Sequence, residues 1–243
     1  MSTPLQPLTS ILSGIEYIEE TISNLEKESV NPLPASRILE HVASIRACLK
    51  SMVGSNSFMT MCINRCLDYT KASKGVKLVP KPETVNLQEA LDFPISIMRD
   101  VQTQLPITLS PVPSEICSHI ITDKQWLIEN VLCLLSNAVR YSQAGSVEVR
   151  VLYEMEKSAS HESLEEASAF ARFEVWDTGI GLTEEVMASL FSPFKQAQRL
   201  AGGTGLGLFS LAKRVEALHG HYGVCKRPDK LQGSMFWFTI PYR

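Results

Sequence analysis

With 243 residues, 44% of them hydrophobic and 20% charged, the chain can bury a core and has room for one large or two modest domains. A net charge of -3 offers no basic field for nucleic acid and no polybasic patch for a lipid surface, so neither partner is expected. No apolar run approaches the roughly 20 residues of a bilayer span, and the start lacks a basic stretch followed by an apolar one. Cys48, Cys62, Cys66, Cys117, Cys133 and Cys225 are scattered without a C-x-x-C pair, which suits a reducing compartment and an intracellular, cytoplasmic protein.

In chain order, Leu8, Ile11, Ile15, Ile18, Ile22 and Leu25 recur three and four apart and predict a first helix with one apolar stripe. After the "NPLP" break, Ile38, Val42, Ile45, Leu49, Met52, Asn56, Met59, Ile63, Cys66 and Thr70 keep that spacing through a longer second helix. Two such helices joined by a short proline-containing turn make an antiparallel hairpin. Pairing with a second copy hides its apolar faces best, so a homodimeric four-helix bundle is expected. The alternative packs both helices on the chain's own second domain. "KASKGVKLVPKPETV" then breaks the pattern, giving a helical region over 1–75 and a second domain over 76–243. There the reading is a helix over 87–103, strands at "PITLS" and "HIITD", a helix from Asp123, and strands at "SVEVRVLYEM" and "ARFEVWD". Helices over 183–190 and 205–219 and strands at "HYGVC" and "SMFWFTI" complete an α+β sandwich, with helices on one face of a mixed sheet. Residues 158–169, with His161, read as an exposed loop.

Three stretches carry chemistry. In "DKQWLIENVLCLLSNAVRYS", Asn130, Cys133 and Asn137 fall within about 60° of one another on a helix. The Asn137 amide oxygen could serve a hard cation such as Mg²⁺, which takes few protein ligands beside phosphate and water; alternatively it is a solvated helix residue. In "FEVWDTGIGL" a strand runs into Asp177, Gly179 and Gly181: a carboxylate able to accept from an exocyclic amine, with glycines that let backbone approach a flat base, or simply a tight turn. "LFSPFKQAQRLAGGTGLGLFSLAKR" sets Phe191 and Phe194 before glycines 202, 203, 205 and 207 at a helix start, where unpaired N–H groups can receive phosphate. No Lys-Ser or Lys-Thr follows the glycines, so this is no Walker loop, and the glycine spacing is not that of the dinucleotide fingerprint.

Together, in this order and spacing, these stretches resemble the N, first glycine, F and second glycine boxes of sensor histidine kinases of the GHKL ATPase superfamily. "CINRCLDYTKASKGVKL" resembles the end of that family's dimerisation hairpin, and "GSMFWFTIPYR" its last strand. The resemblance implies a helical dimerisation hairpin followed by a GHKL-type α/β sandwich that binds ATP. It implies Mg²⁺ on Asn137, adenine read by Asp177 and lined by Gly179 and Gly181, and a triphosphate cradled by Gly203, Thr204, Gly205, Leu206 and Gly207. Arg140 and Tyr141 belong to the same site, Phe191 and Phe194 pack at the root of the lid, and Lys195 and Arg199 are candidates for phosphate contact. A response regulator or phosphotransfer protein is the implied downstream partner.

Two departures stand out. Position 133, where such kinases carry a second Asn and the gyrase-like ATPases a catalytic Glu, is Cys133, which disfavours self-contained hydrolysis; Asn130 is the candidate substitute. The stretch from Lys195 to Ala201 is also shorter than usual for these kinases. "STPL" resembles the tail of the family's acceptor-histidine motif, with Thr3, Pro4 and Leu5 matching and the histidine absent before them. His41 sits beside the helical seam, and His219 and His221 follow the glycine-box helix, so none is expected to replace it. The expected function is transfer of the γ-phosphoryl of MgATP to a histidine supplied by another chain. Its rivals are a non-catalytic ATP-sensing dimerisation module, and a serine-directed kinase or ATPase of the same superfamily.

Overall fold

The computed structural model describes residues 6–28, 34–102, 104–156, 168–195 and 204–242. Thr3, Pro4, Leu5, His161, Arg199 and Gly203 lie outside the described residues, as does nearly all of the loop expected at 158–169. Helices α1 (Gln6–Glu28) and α2 (Ala35–Ser73) are 23 and 39 residues long. The chain divides into two compact units, 1–64 and 65–243, so α2 runs across the division and its last turns belong with the second unit.

Within the first unit the two helices approach closely at Gly14. A Cβ there would come within 2.8 Å of the Met52 thioether, and the Cys48 thiol donates to the Gly14 carbonyl at 3.3 Å. Burial follows that line: Ile11, Gly14, Ile18, Thr21 and Leu25 of α1 and Ile45, Cys48 and Met52 of α2 are covered or half-covered. Leu8, Leu12, Ile15 and Ile22 of α1 and Leu39, Val42, Leu49, Val53 and Ile63 of α2 are exposed. The expected single seam on each helix is thus two stripes. Apolar residues at mixed three- and four-residue steps cover more of a helix surface than one neighbour can bury.

In the second unit, β1 (Glu83–Asn86) and β3 (His119–Thr122) form a two-stranded antiparallel sheet. The sequence reading lacked β1, because in "ETVN" only Val85 is buried and four residues show no alternation. α3 (Leu87–Val101) starts on Asn86, whose side-chain oxygen accepts from the Glu89 N–H at 3.1 Å. α4 (Lys124–Tyr141) starts on Asp123, which accepts from the Trp126 N–H and, on its other oxygen, from the Lys81 N–H, each at 2.9 Å. The strands β2 (Ile107–Leu109), β4 (Val147–Glu156), β5 (Ser168–Trp176), β6 (Tyr222–Lys226) and β7 (Ser234–Pro241) form one sheet in the order β2-β4-β5-β7-β6. Among the described strands only β2 and β4 run parallel. α5 (Glu184–Ser189) and α6 (Gly207–Ala217) complete the unit.

Strand alternation places Val147, Val149, Val151, Ala171, Phe173, Val175, Phe236, Phe238 and Ile240 in the core with Leu91, Ile95, Leu127, Val131, Leu211 and Val215 of the helices. Phe173 and Phe238, partners across β5 and β7, stack at 5.0 Å. The opposite sheet face carries guanidinium groups on indoles, Arg150 over Trp176 and Arg172 over Trp237, each at 4.0 Å. This is the α+β sandwich the sequence pattern called for.

At one end of that unit lies a buried ionic cluster. Arg214 of α6, 3% exposed, donates from Nε to Asp68 of α2 at 2.8 Å, and its Nη2 is ion-paired with Glu129 of α4 at 2.7 Å. The Ser210 hydroxyl also donates to Asp68. A guanidinium taken out of water needs such partners, and two carboxylates from two other helices supply them.

Candidate functional site

The site is organised by one side of α4. Cys133, Asn137 and Tyr141 follow one another at four-residue steps, about 6 Å apart along the axis. At one end, Cys133 is 3% exposed and its Sγ lies 2.9 Å from where a Cβ on Gly207 would stand. At the other, the Tyr141 carbonyl accepts from the Ile180 N–H at 3.3 Å and lies 2.6 Å from where a Cβ on Gly179 would stand. α4 therefore touches both glycine segments, and any side chain at 179 would collide with its main chain. Asn137 sits between the two contacts, half-buried, and among the described residues its amide makes no hydrogen bond.

Asp177 follows directly on β5 and is 4% exposed. Its Oδ1 accepts from the Gly179 N–H at 2.8 Å and from the Ser234 N–H at 3.2 Å, while its own N–H donates to the Ser234 carbonyl at 3.0 Å. Among the described residues Oδ2 accepts nothing, so one carboxylate oxygen is held rigidly and the other is open to a ligand donor. Burial pushes the Asp177 carboxyl above the ordinary carboxylate range, against the two N–H bonds and the Arg227 charge, which pull it down. The Arg227 guanidinium donates to the Asp177 carbonyl at 3.0 Å and pairs with Asp229 at 2.6 Å.

The second glycine segment meets the first phenylalanines. Gly205 has φ +68°, and a Cβ on it would lie 2.8 Å from Phe194 Cα; its carbonyl accepts from the Phe194 N–H at 3.0 Å. The Thr204 hydroxyl accepts from the Leu206 N–H at 3.3 Å. α6 then begins at Gly207 with no side-chain cap, which leaves its first-turn amides available to an anion. Phe191 packs on Tyr222 at 4.7 Å between ring centres. Phe194 packs not on the sheet but on Tyr69 of α2, at 4.9 Å.

Of the residues singled out from sequence, Asn137, Tyr141, Asp177, Gly179 and Gly207 are thus tied to one another through α4, and Thr204, Gly205 and Leu206 lie beside the start of α6. Gly181 follows in the Asp177 turn with φ +75°. Arg140 and Lys195 are exposed, and Gly203 and Arg199 fall outside the described residues. Asn130 is 2% exposed, one turn below Cys133, with its amide nitrogen unpaired among the described residues. Sequence reasoning missed Ser234 and Arg227. Arg227 grips a backbone carbonyl 50 residues away, which no local pattern announces.

Residues 122–243 match the family described as histidine kinase-, DNA gyrase B-, and HSP90-like ATPase. The chain belongs to this family. Similarity runs beyond the matched domain. The chain is 30% identical over 239 residues to the sensor histidine kinase GacS of Pseudomonas protegens, covering 96% of this chain and 23% of that protein. It is 28% identical over 266 residues to histidine kinase 5 of Arabidopsis thaliana, covering 100% of this chain and 26% of that protein. It therefore spans about a quarter of the length of these relatives. Two solved structures share the fold. The mycobacterial sensor histidine kinase MprB has a TM-score of 0.54 at 22% identity, over 67% of this chain and 99% of that one. The Acinetobacter baumannii histidine kinase AdeS has a TM-score of 0.54 at 16% identity, over 95% of each. Fold and family thus agree with a histidine-kinase type of ATP-binding core.

Proposed function

We propose that this chain is the dimerisation hairpin (1–75) and ATP-binding domain (76–243) of a histidine kinase, moving the γ-phosphoryl of MgATP to a histidine presented by another chain. The observation that carries the reading is the path along α4, which links the Asp177 turn to the uncapped start of α6, with the Asn137 amide, unbonded among the described residues, between them. The residues present fit the nucleotide. The open Asp177 Oδ2 accepts the adenine amine, the Gly179 and Gly181 turn faces the base, and the amides at the start of α6, with the segment from Gly203 to Leu206, receive phosphate. Arg140, Tyr141, Lys195 and Arg199 complete the contact set. Asn137 offers its oxygen to Mg²⁺, whose charge supports the developing phosphate charge when bound. The acceptor imidazole nitrogen attacks the γ-phosphorus, the bond to the β,γ-bridging oxygen breaks, and ADP leaves. The chain's share is positioning and charge neutralisation.

The exposed stripes of α1 and α2 supply the surface for a homodimer, and a response regulator or phosphotransfer protein is the onward acceptor. No described helix is long and apolar enough to cross a membrane. With six free cysteines we place this part of the protein inside the cell, in the cytoplasm. The names of the relatives favour a kinase over a non-catalytic module. The test is transfer from γ-labelled MgATP, with the protein alone and mixed with a separate hairpin bearing an acceptor histidine. Acid-labile label on the added hairpin is the expected result. Bound ATP without label in either tube overturns the kinase reading.

A further inference from the structure

The end of α2 contributes to the nucleotide loop, although no nucleotide-box motif includes it. The Tyr69 ring lies 4.9 Å from Phe194 at an interplanar angle of 70°, and 5.8 Å from Phe209 at 66°, so it meets two rings edge to face. Those two phenylalanines bracket the second glycine segment in sequence, one ahead of it and one in the first turn of α6. Phe194 itself takes φ +60°, an uncommon conformation for a phenylalanine, and its N–H donates to the Gly205 carbonyl at 3.0 Å. Phe194 remains 59% exposed beside Tyr69.

The neighbours of Tyr69 fix it in turn. Asp68, one residue earlier, is buried against Arg214 and Ser210 of α6. Arg65, one turn earlier, brings its guanidinium within 3.3 Å of where a Cβ on Gly207 would stand. Three side chains of one helix end thus reach the start of α6 or the Phe194–Gly205 contact.

We infer that Tyr69 is a positioning residue for nucleotide binding: it holds Phe194, and through the Phe194–Gly205 hydrogen bond the glycine turn, in the conformation that receives phosphate. The proposal rests on the reading of this site as an ATP site. Linkage makes it reciprocal, so bound nucleotide protects the last turns of α2 to the extent that those turns favour binding. An input acting on residues 65–73 then tunes nucleotide affinity without touching the nucleotide.

The experiment is MgATP titration of the intact chain by calorimetry for wild type, Tyr69→Phe, Tyr69→Leu, Phe194→Leu and the Tyr69→Leu/Phe194→Leu pair, with a thermal melt of each. Among the described residues the Tyr69 hydroxyl makes no hydrogen bond, so Tyr69→Phe should bind as wild type does. Tyr69→Leu should bind about three- to tenfold more weakly, and the double variant no more weakly than the worse single one. Hydrogen exchange over 65–73 should slow on adding MgATP to wild type and not to Tyr69→Leu. Wild-type affinity in a folded Tyr69→Leu protein, or fully additive losses in the pair, overturns the inference while leaving the ATP site intact. If Tyr69→Leu does not fold, unchanged wild-type exchange over 65–73 at saturating MgATP overturns it just as well. A wild-type chain that does not bind MgATP overturns the site reading instead.

Discussion

The two units handle apolar surface in opposite ways. In 65–243 a closed core seals Phe173, Phe238, Leu91, Leu127, Leu132 and Leu211, all under 2% exposed, and polar groups such as Asp177 and Arg214 are individually bonded. In 1–64 a helix pair buries one stripe and leaves another open, with Leu39 67%, Leu12 54% and Val53 49% exposed. A sheet with helices on one face makes its own interior, whereas two helices have too little interior between them to cover both of their apolar sides. The first unit therefore leaves an apolar stripe uncovered, while the second closes its own core.

The contrast is broken most severely at Arg214. Arg214→Ala leaves Asp68 and Glu129 buried without their counter-charge and should destabilise the second unit by about 3–5 kcal/mol in urea unfolding. Next comes Asp177→Ala, which removes the open acceptor oxygen as well as the anchored one. It should weaken MgATP binding by about 10- to 150-fold in calorimetry, corresponding to about 1.5–3 kcal/mol for a hydrogen bond to a charged group. Val53→Asp tests the other unit: it should shift sedimentation from dimer to monomer while the unfolding of the sheet unit stays within about 0.5 kcal/mol of wild type. A dimer that survives Val53→Asp would show that the open stripe has another occupant.

The smallest effect is a pH dependence. The folded Asp177 carboxyl keeps its proton above the ordinary value of 3.8, so across that window the native state binds more protons than the unfolded chain. Stability therefore falls as pH rises from the ordinary value to the raised one, and the deficit stays constant above it. Asp177→Asn keeps an oxygen for the Gly179 and Ser234 N–H groups but does not titrate. Thermal melts of the two proteins should diverge in favour of Asp177→Asn as pH rises through that window.

The sequence disclosed the layered α+β architecture because β4 carries its core residues at every second position and the helices begin at Asn86 and Asp123, whose side chains bond to the first turn. It disclosed Asp177 and the glycine segments because their chemistry is local in the chain. It did not disclose that Cys133 lies under Gly207, that Arg227 grips the Asp177 carbonyl, or that Tyr69 meets Phe194, since each of these pairs remote positions through shape or a backbone atom. The periodicity of α1 and α2 announced apolar stripes but could not say which of them closes on its own hairpin, because an apolar residue reads the same whoever covers it.

The thiol of Cys133 has a consequence for watching the protein at work. Cys62, Cys66 and Cys117 are exposed and will react at once with an alkylating reagent, while Cys133 is shielded by the start of α6. After the fast thiols are capped, slow modification of Cys133 counts the occasions on which α6 lifts from α4. Cys133 thus doubles as a chemical clock for the opening of the turn at the start of α6.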